Sequence, residues 1–313
     1  MKPILGATVL ILSLLLASQV SASSAVNATL TLPHNGVLPG VPFDLIVTYT
    51  NVSDQPVTID TALATLVVTF ANGDTIVMHQ PEESDQWDIQ GAMPVRLAPG
   101  ESVQHAAGWA RGIPNWFRYG SFSGPGTYGI ALDLRIVDAN HDPLATIRTP
   151  AVALTRVEPV GIDAELWKRM REVSDGKWSD NSFVTTKEGV ALASEILQLS
   201  PSSGYYPYVL ALRAFGEYTD KNHIPPLLEA AERFPSSPAY PYLPIAAAHC
   251  ARYAGTVAEM EGNMAEAKRY LTFAETKFRE ALATKSVAVR ASSELGLFNV
   301  THELDRTTKK TMR

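Results

Sequence analysis

The first half of the chain alternates apolar and polar residues. Apolar side chains take every second position over Phe43–Tyr49, over Leu66–Phe70 and over Tyr128–Ile136. A period of two places the apolar side chains on one face of a strand. Turn sequences separate these stretches, and Asn72–Asp74 and Asp138–Pro143 are typical of hairpins. The pattern predicts about seven or eight short strands in an antiparallel β-sandwich.

The second half repeats its apolar residues with the period of a helix. The longest stripe has a spacing of three and four residues and follows an Asn263 and Glu266 pair that is typical of a helix start. Its members are Met264, Ala267, Leu271, Ala274, Phe278 and Ala281. Further helices are predicted over Ala164–Val173, Thr185–Leu199 and Pro225–Phe234, and from Ser286 to about Leu304.

An internal repeat lies within this helical half. Pro201–Val209 recurs as Pro235–Leu243 at an offset of 34 residues, with six of nine positions identical. In both copies a Pro-Ser-Ser sequence is expected to end one helix and cap the next, and tyrosines begin the following helix. The offset predicts a unit of two antiparallel helices that occurs more than once.

Charge and composition change between the two halves. Residues 23–159 carry 13 acidic residues, 6 arginines and no lysine, a net charge of −7, whereas residues 160–313 carry 19 acidic and 19 basic residues. The proline and glycine near residue 159 are typical of a linker. We therefore expect a multi-domain fold, β then α, with a β-sandwich over residues 23–158 and an all-α domain over residues 159–313.

Two family resemblances refine this expectation. Pro39–Pro42, Asn51–Val57, Leu97–Glu101 and Gly124–Tyr128 resemble the early strands and later turns of bacterial immunoglobulin-like modules. The 34-residue repeat resembles the tetratricopeptide repeat, although it has two clean copies and several prolines. The resemblances imply an immunoglobulin-like β-sandwich followed by tetratricopeptide-like helical hairpins, and they imply no ligand.

The N-terminus has the pattern of a secretory signal peptide. Lys2 supplies a positive charge, an uncharged apolar run follows over Ile4–Ala17, and Val20 and Ala22 are small residues at the cleavage positions. The apolar run of about 14 residues is shorter than the roughly 20 that span a bilayer. We expect residues 1–22 to be cleaved after Ala22, which leaves an exported protein, periplasmic or extracellular, with no membrane anchor.

The composition excludes several classes of site. A net charge of −6 gives no reason to expect nucleic acid as a partner. The one cysteine, Cys250, cannot form an internal disulfide or a cysteine-based metal site, and in its apolar helical run we expect it to be buried. His249, beside it, is predicted to be structural. No catalytic motif is present, so we predict no cofactor, no metal and no enzymatic activity.

An aromatic stretch over residues 109–122 is the candidate binding site. Five aromatic residues and two arginines fall within 14 residues, more than a connection between strands needs. They either close one end of the sandwich core or form a surface that stacks on sugar or docks a protein. The residues are Trp109, Arg111, Trp116, Phe117, Arg118, Tyr119 and Phe122.

Three functions remain as alternatives. A sandwich joined to a helical repeat offers two surfaces, so the leading expectation is an exported, non-enzymatic protein-binding or scaffold protein whose partner is another protein. The second alternative is a carbohydrate-binding accessory protein that holds a glycan on the aromatic stretch. The third is a hydrolase whose carboxylates come from distant positions of the chain.

Overall fold

A computed structural model describes residues 25–34, 36–41, 43–78, 94–106, 124–138, 140–173, 187–216, 220–284 and 286–311. These residues form two compact units. The first contains the described residues of 25–32, 46–106 and 128–153, and the second contains those of 33–45, 124–127 and 154–311. Along the chain the strands precede the helices, as the hydrophobic pattern predicts.

The first unit is built from antiparallel strands. Strand β3 lies between β1 and β7 in one sheet. In the other sheet β4 pairs with β5, β6 and β8, and β8 also pairs with β9. Their bounds are β1 Val26–Thr31, β3 Ile46–Asn51, β4 Val57–Thr69, β5 Thr75–Met78, β6 Val95–Leu97, β7 Ser102–Ala106, β8 Gly126–Val137 and β9 Pro143–Arg148.

The core of this unit follows the alternation seen in the sequence. Val47 and Tyr49 are buried on β3, and Ile130, Leu132 and Leu134 are buried on β8, because every second side chain faces the same side of a strand. The predicted hairpin after β8 is confirmed. Oδ1 of Asp138 accepts the backbone N–H groups of Asn140 at 2.8 Å and Asp142 at 2.9 Å, and β9 then pairs with β8.

The second unit is built mainly from helices. Each helix contacts the next along the chain, and α5 also contacts α3 and α7. The bounds are α1 Ile162–Val173, α2 Lys187–Leu199, α3 Tyr206–Gly216, α4 Ile224–Arg233, α5 Leu243–Met260, α6 Met264–Ala283 and α7 Val287–Thr311. Two short strands, β2 (Gly36–Val37) and β10 (Val152–Arg156), pair in parallel. Among the described residues, no helix is long and apolar enough to cross a membrane.

The predicted apolar stripe faces the interior of this unit. Met264 is half-buried, and the other five members, from Ala267 to Ala281, are buried on α6. The predicted cap is confirmed, because Oδ1 of Asn263 accepts the N–H of Glu266 at 3.2 Å. The predicted end of the last helix near Leu304 is wrong: α7 continues to Thr311. Ion pairs from α5 hold this last part of the helix.

The segment Pro33–Leu45 belongs to the helical unit. The composition predicts it in the β domain, and the alternation predicts a strand from Phe43, but β3 begins at Ile46. Gly40 has a φ of +71°, and a Cβ atom there would lie 2.7 Å from the ring of Trp167 on α1. The hydroxyl of Tyr205 donates a hydrogen bond to the carbonyl of Pro39 at 3.1 Å. The segment therefore packs on helices.

Candidate functional site

The repeated Pro-Ser-Ser sequence forms the same turn twice. The N–H of Ser203 donates to the carbonyl of Ser200 at 3.0 Å, and the N–H of Ser237 donates to that of Phe234 at 3.0 Å. Each serine hydroxyl then accepts the N–H of the second residue after it, Tyr205 at 3.0 Å and Ala239 at 3.2 Å. The hydrogen bonds recur at the 34-residue offset, so the sequence repeat is also a structural repeat. The two turns lead into α3 and α5.

A buried arginine anchors the segment next to these turns. Arg156, at the end of β10, is 5% exposed, and its guanidinium donates to the carbonyls of Leu38, at 3.0 Å, and Val41. It also lies 5.1 Å from the centroid of the Phe43 ring. Two backbone carbonyls and an aromatic face replace part of the water that a buried guanidinium loses. The arginine thereby fixes the chain on both sides of Gly40 and holds β2 in place.

A pocket of about 360 Å³ lies between β2 and the second repeat turn. Its wall consists of residues 36–38, Val157, Gly204, Tyr208 and residues 233–238. Most of these side chains are apolar, and the polar groups come from Arg233, Tyr208 and two serines. A concave site of this size with few polar groups is typical of binding sites. We therefore take this pocket as the candidate functional site.

A cluster of hydroxyl groups supports the pocket from within the unit. Tyr208 and Tyr242 occupy equivalent repeat positions, and both are buried. Burial raises the pKa of each phenol, and Tyr208 hydrogen-bonds Ser237 in the pocket wall. The Tyr242 hydroxyl donates to Oδ1 of Asp44. Burial raises the pKa of Asp44 to about 6, and this hydrogen bond opposes the rise.

Arg233 is the cation of the pocket wall. It ends α4, and its guanidinium lies 5.3 Å from the centroid of the Phe234 ring. The Phe234 ring also stacks on the ring of Tyr206, at 6.0 Å between centroids and 28° between planes. Arginine stacks on an aromatic ring with its N–H donors still available at its edge. The pocket therefore combines apolar walls with a positive group at its margin.

The binding residues predicted from the aromatic stretch lie outside the part of the chain that the structure describes. Residues 1–22, with the predicted cleavage after Ala22, also lie outside the described residues, so both predictions stay predictions. The predicted binding residues outside the described part are Trp109, Arg111, Trp116, Phe117, Arg118, Tyr119 and Phe122.

Cys250 and His249 lie in the interior of the helical unit. Cys250 is fully buried, and burial raises the pKa of its thiol to about 12, so it has no thiolate character at neutral pH. His249 hydrogen-bonds the hydroxyl of Ser292 at 3.1 Å, and its ring packs edge-on against Phe278. Burial lowers its pKa to about 4. Both residues are structural, as predicted. Within the described ranges, no three His, Cys, Asp or Glu side chains form a group that could hold a metal ion.

Half of the pocket could have been found from the sequence. Six of the twelve wall residues, namely Gly204, Tyr208 and residues 235–238, belong to the repeat that the 34-residue offset identifies, and turns between repeated helices are natural positions for binding residues. Residues 36–38 carry no comparable signal, because a short apolar stretch near Gly36 resembles many strand ends. Nothing local distinguishes Arg233 from the other arginines of the helical half.

The comparisons with known proteins give no family. No family model and no curated protein matches the chain significantly. Among solved structures, the chain is similar to the structural genomics target SoR45 (10% identity, TM-score 0.27, 44% of this chain and 89% of that chain). It is also similar to a protein described as ApaA from Bordetella pertussis (14%, 0.25, 44% and 94%). The sporulation control protein Spo0M from Bacillus subtilis is similar at the same level (12%, 0.25, 47% and 55%). Such low TM-scores carry no argument about function.

Proposed function

We propose that the protein is an exported, non-enzymatic protein-binding protein whose helical unit holds an extended segment of another protein in the pocket beside β2. Export rests on the signal-peptide pattern of residues 1–22. The observation that carries the binding function is the pocket itself, where a strand, an apolar wall and a cation face one space.

Strand β2 supplies main-chain groups for such a segment. Its neighbour among the described strands is β10, and the carbonyl of Val37 accepts the N–H of Val157 at 2.9 Å. Successive residues of a strand direct their N–H and C=O groups to opposite sides, so those of Gly36 face away from β10. An extended peptide can pair with a strand edge of this kind by β-augmentation.

The apolar wall supplies a place for one side chain of the partner. Val37, Val157, Phe234 and the two prolines of the second turn line the pocket. Burial of a valine, leucine or phenylalanine side chain contributes about 1.5 to 3 kcal/mol. Main-chain pairing would give affinity, and the wall would select an apolar residue at one position of the segment.

The hydroxyl groups of the wall favour binding over catalysis. The hydroxyl of Ser237 accepts the N–H of Ala239 at 3.2 Å and hydrogen-bonds Tyr208. It is therefore part of the turn's structure. The raised pKa of Tyr208 keeps this phenol protonated at neutral pH, so it can donate or accept a hydrogen bond but does not act as a base.

The proposal takes the strands as an immunoglobulin-like sandwich and the helices as tetratricopeptide-like hairpins. Two antiparallel sheets with alternating burial support the first assignment. The turn that recurs after 34 residues supports the second. Helical repeats commonly present their turns and concave faces to partners, which agrees with a site at the second turn.

A pocket-filling substitution tests the proposed function. Random peptides displayed on phage are selected against the purified full chain, and the dissociation constants of the selected peptides are measured by fluorescence polarisation. Val157→Trp fills the pocket, because Val157 lines it and is 40% exposed. We expect this variant to bind the peptides at least tenfold more weakly than the unmodified chain, which corresponds to about 1.4 kcal/mol.

Val160→Trp provides the matched control. Val160 is 76% exposed, three residues further along, and is not part of the pocket wall. This variant should bind within twofold of the unmodified chain. Equal affinities for Val157→Trp and the unmodified chain would contradict the proposal, and so would a selection that enriches no peptide.

A further inference from the structure

Arg233 differs from several arginines of the helical unit in making no ion pair with a carboxylate among the described residues. Its guanidinium lies 5.3 Å from the centroid of the Phe234 ring, and its charge lowers the pKa of the Tyr206 phenol while that of Glu229 raises it. Other arginines of the unit are held by acidic side chains: Arg169 by Glu195, Arg252 by Glu303, Arg279 by Glu275 and Arg306 by Glu259. Arg233 therefore brings to the pocket a positive charge that no ion pair occupies, with the carboxylate of Glu229 one turn earlier on α4.

The aromatic cluster lies beside that charge. The Phe234 ring stacks on Tyr206 at 6.0 Å, and the Arg233 guanidinium lies 5.3 Å from the centroid of the same ring. The N–H groups of a guanidinium lie in the plane of its fork, where they match the two oxygens of a carboxylate. Ser236, exposed three residues further along, adds a hydroxyl donor to the same wall.

We infer that the segment bound in this pocket carries an aspartate or glutamate beside the apolar residue that the wall accepts. The inference rests on the proposed function. It follows from charge complementarity: a carboxylate at the margin of the pocket would receive a bidentate pair from Arg233, whereas a lysine or arginine there would be repelled. Arg233 is exposed, so solvent screens part of this attraction.

The acidic residue is expected to be internal to the segment. Pairing with Gly36 of β2 requires extended main chain in the pocket, and the side chains of such a chain alternate between its two faces. The side chains on one face of the peptide can then contact the apolar wall, while a neighbouring side chain on the other face reaches Arg233 at the margin of the pocket. The partner chemistry is therefore an extended, acidic and apolar peptide.

Parallel selections test this chemistry. The random peptide library is selected against three full-length proteins: the unmodified chain, Arg233→Glu and Arg290→Glu. Arg290 is exposed on α7 and outside the pocket wall, so its reversal changes the net charge equally without touching the site. We expect acidic residues to be enriched next to an apolar residue on the unmodified chain and on Arg290→Glu, and this enrichment to be replaced by basic residues on Arg233→Glu.

Peptide variants measure the strength of the pair. In a selected peptide, replacement of the glutamate by glutamine should weaken binding to the unmodified chain about threefold and leave binding to Arg233→Glu unchanged or stronger. Circular dichroism confirms that each protein is folded. The same peptide carrying a C-terminal amide should bind as tightly as the free acid, because the inferred carboxylate is a side chain.

The outcomes separate this inference from the proposed function. Selected peptides that fail to bind Val157→Trp but show no enrichment of acidic residues would overturn the inference. The pocket would then remain a binding site. Equal enrichment of acidic residues on Arg233→Glu would also overturn it. If the C-terminal amide abolished binding, the carboxylate that Arg233 contacts would be the peptide terminus, and the inference of an internal acidic residue would be wrong. If no selected peptide bound more weakly to Val157→Trp than to the unmodified chain, both this inference and the proposed function would be wrong.

Discussion

Asp44 contacts a residue far along the chain, and no local sequence pattern relates the two positions. It accepts a hydrogen bond from Tyr242, which lies 198 residues further along. Tyr242 and Tyr208 take equivalent repeat positions, and the charges of Arg156 and Asp44 both act on Tyr208. The sequence predicts tyrosines that pack between helices, but it holds no signal that they receive a carboxylate from residue 44. Contacts of this kind depend on the tertiary fold.

The raised pKa of Asp44 predicts a pH dependence of stability. Its pKa is about 6 in the folded chain and 3.8 ordinarily, so its contribution to folding is fully present below pH 3.8 and is lost as the pH rises through 6. Asp44→Asn keeps an acceptor oxygen and removes the titration. Between pH 4 and pH 7, the unmodified chain should lose about 1 to 3 kcal/mol of unfolding free energy relative to the variant.

Urea unfolding followed by the helical circular dichroism signal measures this difference. Asp305→Asn, at an exposed position of α7, removes a carboxylate from the same unit and serves as the control. It should follow the pH profile of the unmodified chain. Parallel profiles for Asp44→Asn and the unmodified chain would show that the Asp44 carboxyl is not perturbed.

At the scale of elements, ion pairs between α5 and α7 attach the last helix to the rest of the helical unit. The side chain of Glu259 on α5 is 3% exposed and accepts hydrogen bonds from Nε of Arg306 at 3.0 Å and Nζ of Lys310 at 2.7 Å. Arg252 and Glu303 form a second pair between the same helices, at 2.7 Å. These contacts explain why α7 extends beyond its predicted end.

Glu259 is predicted to stabilise the helical unit above acidic pH. Hydrogen bonds from Arg306 lower its pKa to about 2, so its contribution is present above its ordinary pKa of 4.5 and is lost as the pH falls towards 2. Glu259→Gln should reduce the unfolding free energy at pH 7 by about 1 to 3 kcal/mol, because two cations lose their carboxylate. The difference from the unmodified chain should narrow as the pH approaches 2.

Thermal and urea unfolding of Glu280→Gln provide the comparison. Glu280 pairs with Lys277 on the solvent side of α6 and is 56% exposed, so its removal should change stability by at most about 0.5 kcal/mol. If Glu259→Gln were as stable as Glu280→Gln at pH 7, the network would contribute nothing to holding α7.

The elements that the sequence predicts best are those with strong local signals. The 34-residue offset predicts both turns, and the spacing of apolar residues predicts the buried face of α6. The error occurs at Phe43, where the alternation continues from β3 into a segment that packs on helices. Alternation indicates a buried face but not which element covers it, so the strand was predicted three residues too early.

At the scale of the whole molecule, the pocket joins three distant parts of the chain. Residues 36–38, Val157 and residues 233–238 meet because Arg156 and Tyr205 hold the early segment on the helical unit. The sequence predicts two domains and a protein-binding function, but it places the candidate site at the aromatic stretch. The repeat half of the pocket could have been predicted, but its pairing with β2 could not, since no local pattern relates β2 to a repeat turn.

Amide hydrogen exchange is the most direct test of the claim that this pocket binds a peptide segment. Exchange is measured for the full chain with and without a saturating amount of a selected peptide, and resolved by peptic fragments. We expect slower exchange in the fragments that contain residues 36–38 and 233–238, and unchanged exchange across α6. Protection confined to residues 109–122, with none at the pocket, would be the opposite result and would place binding at the aromatic stretch.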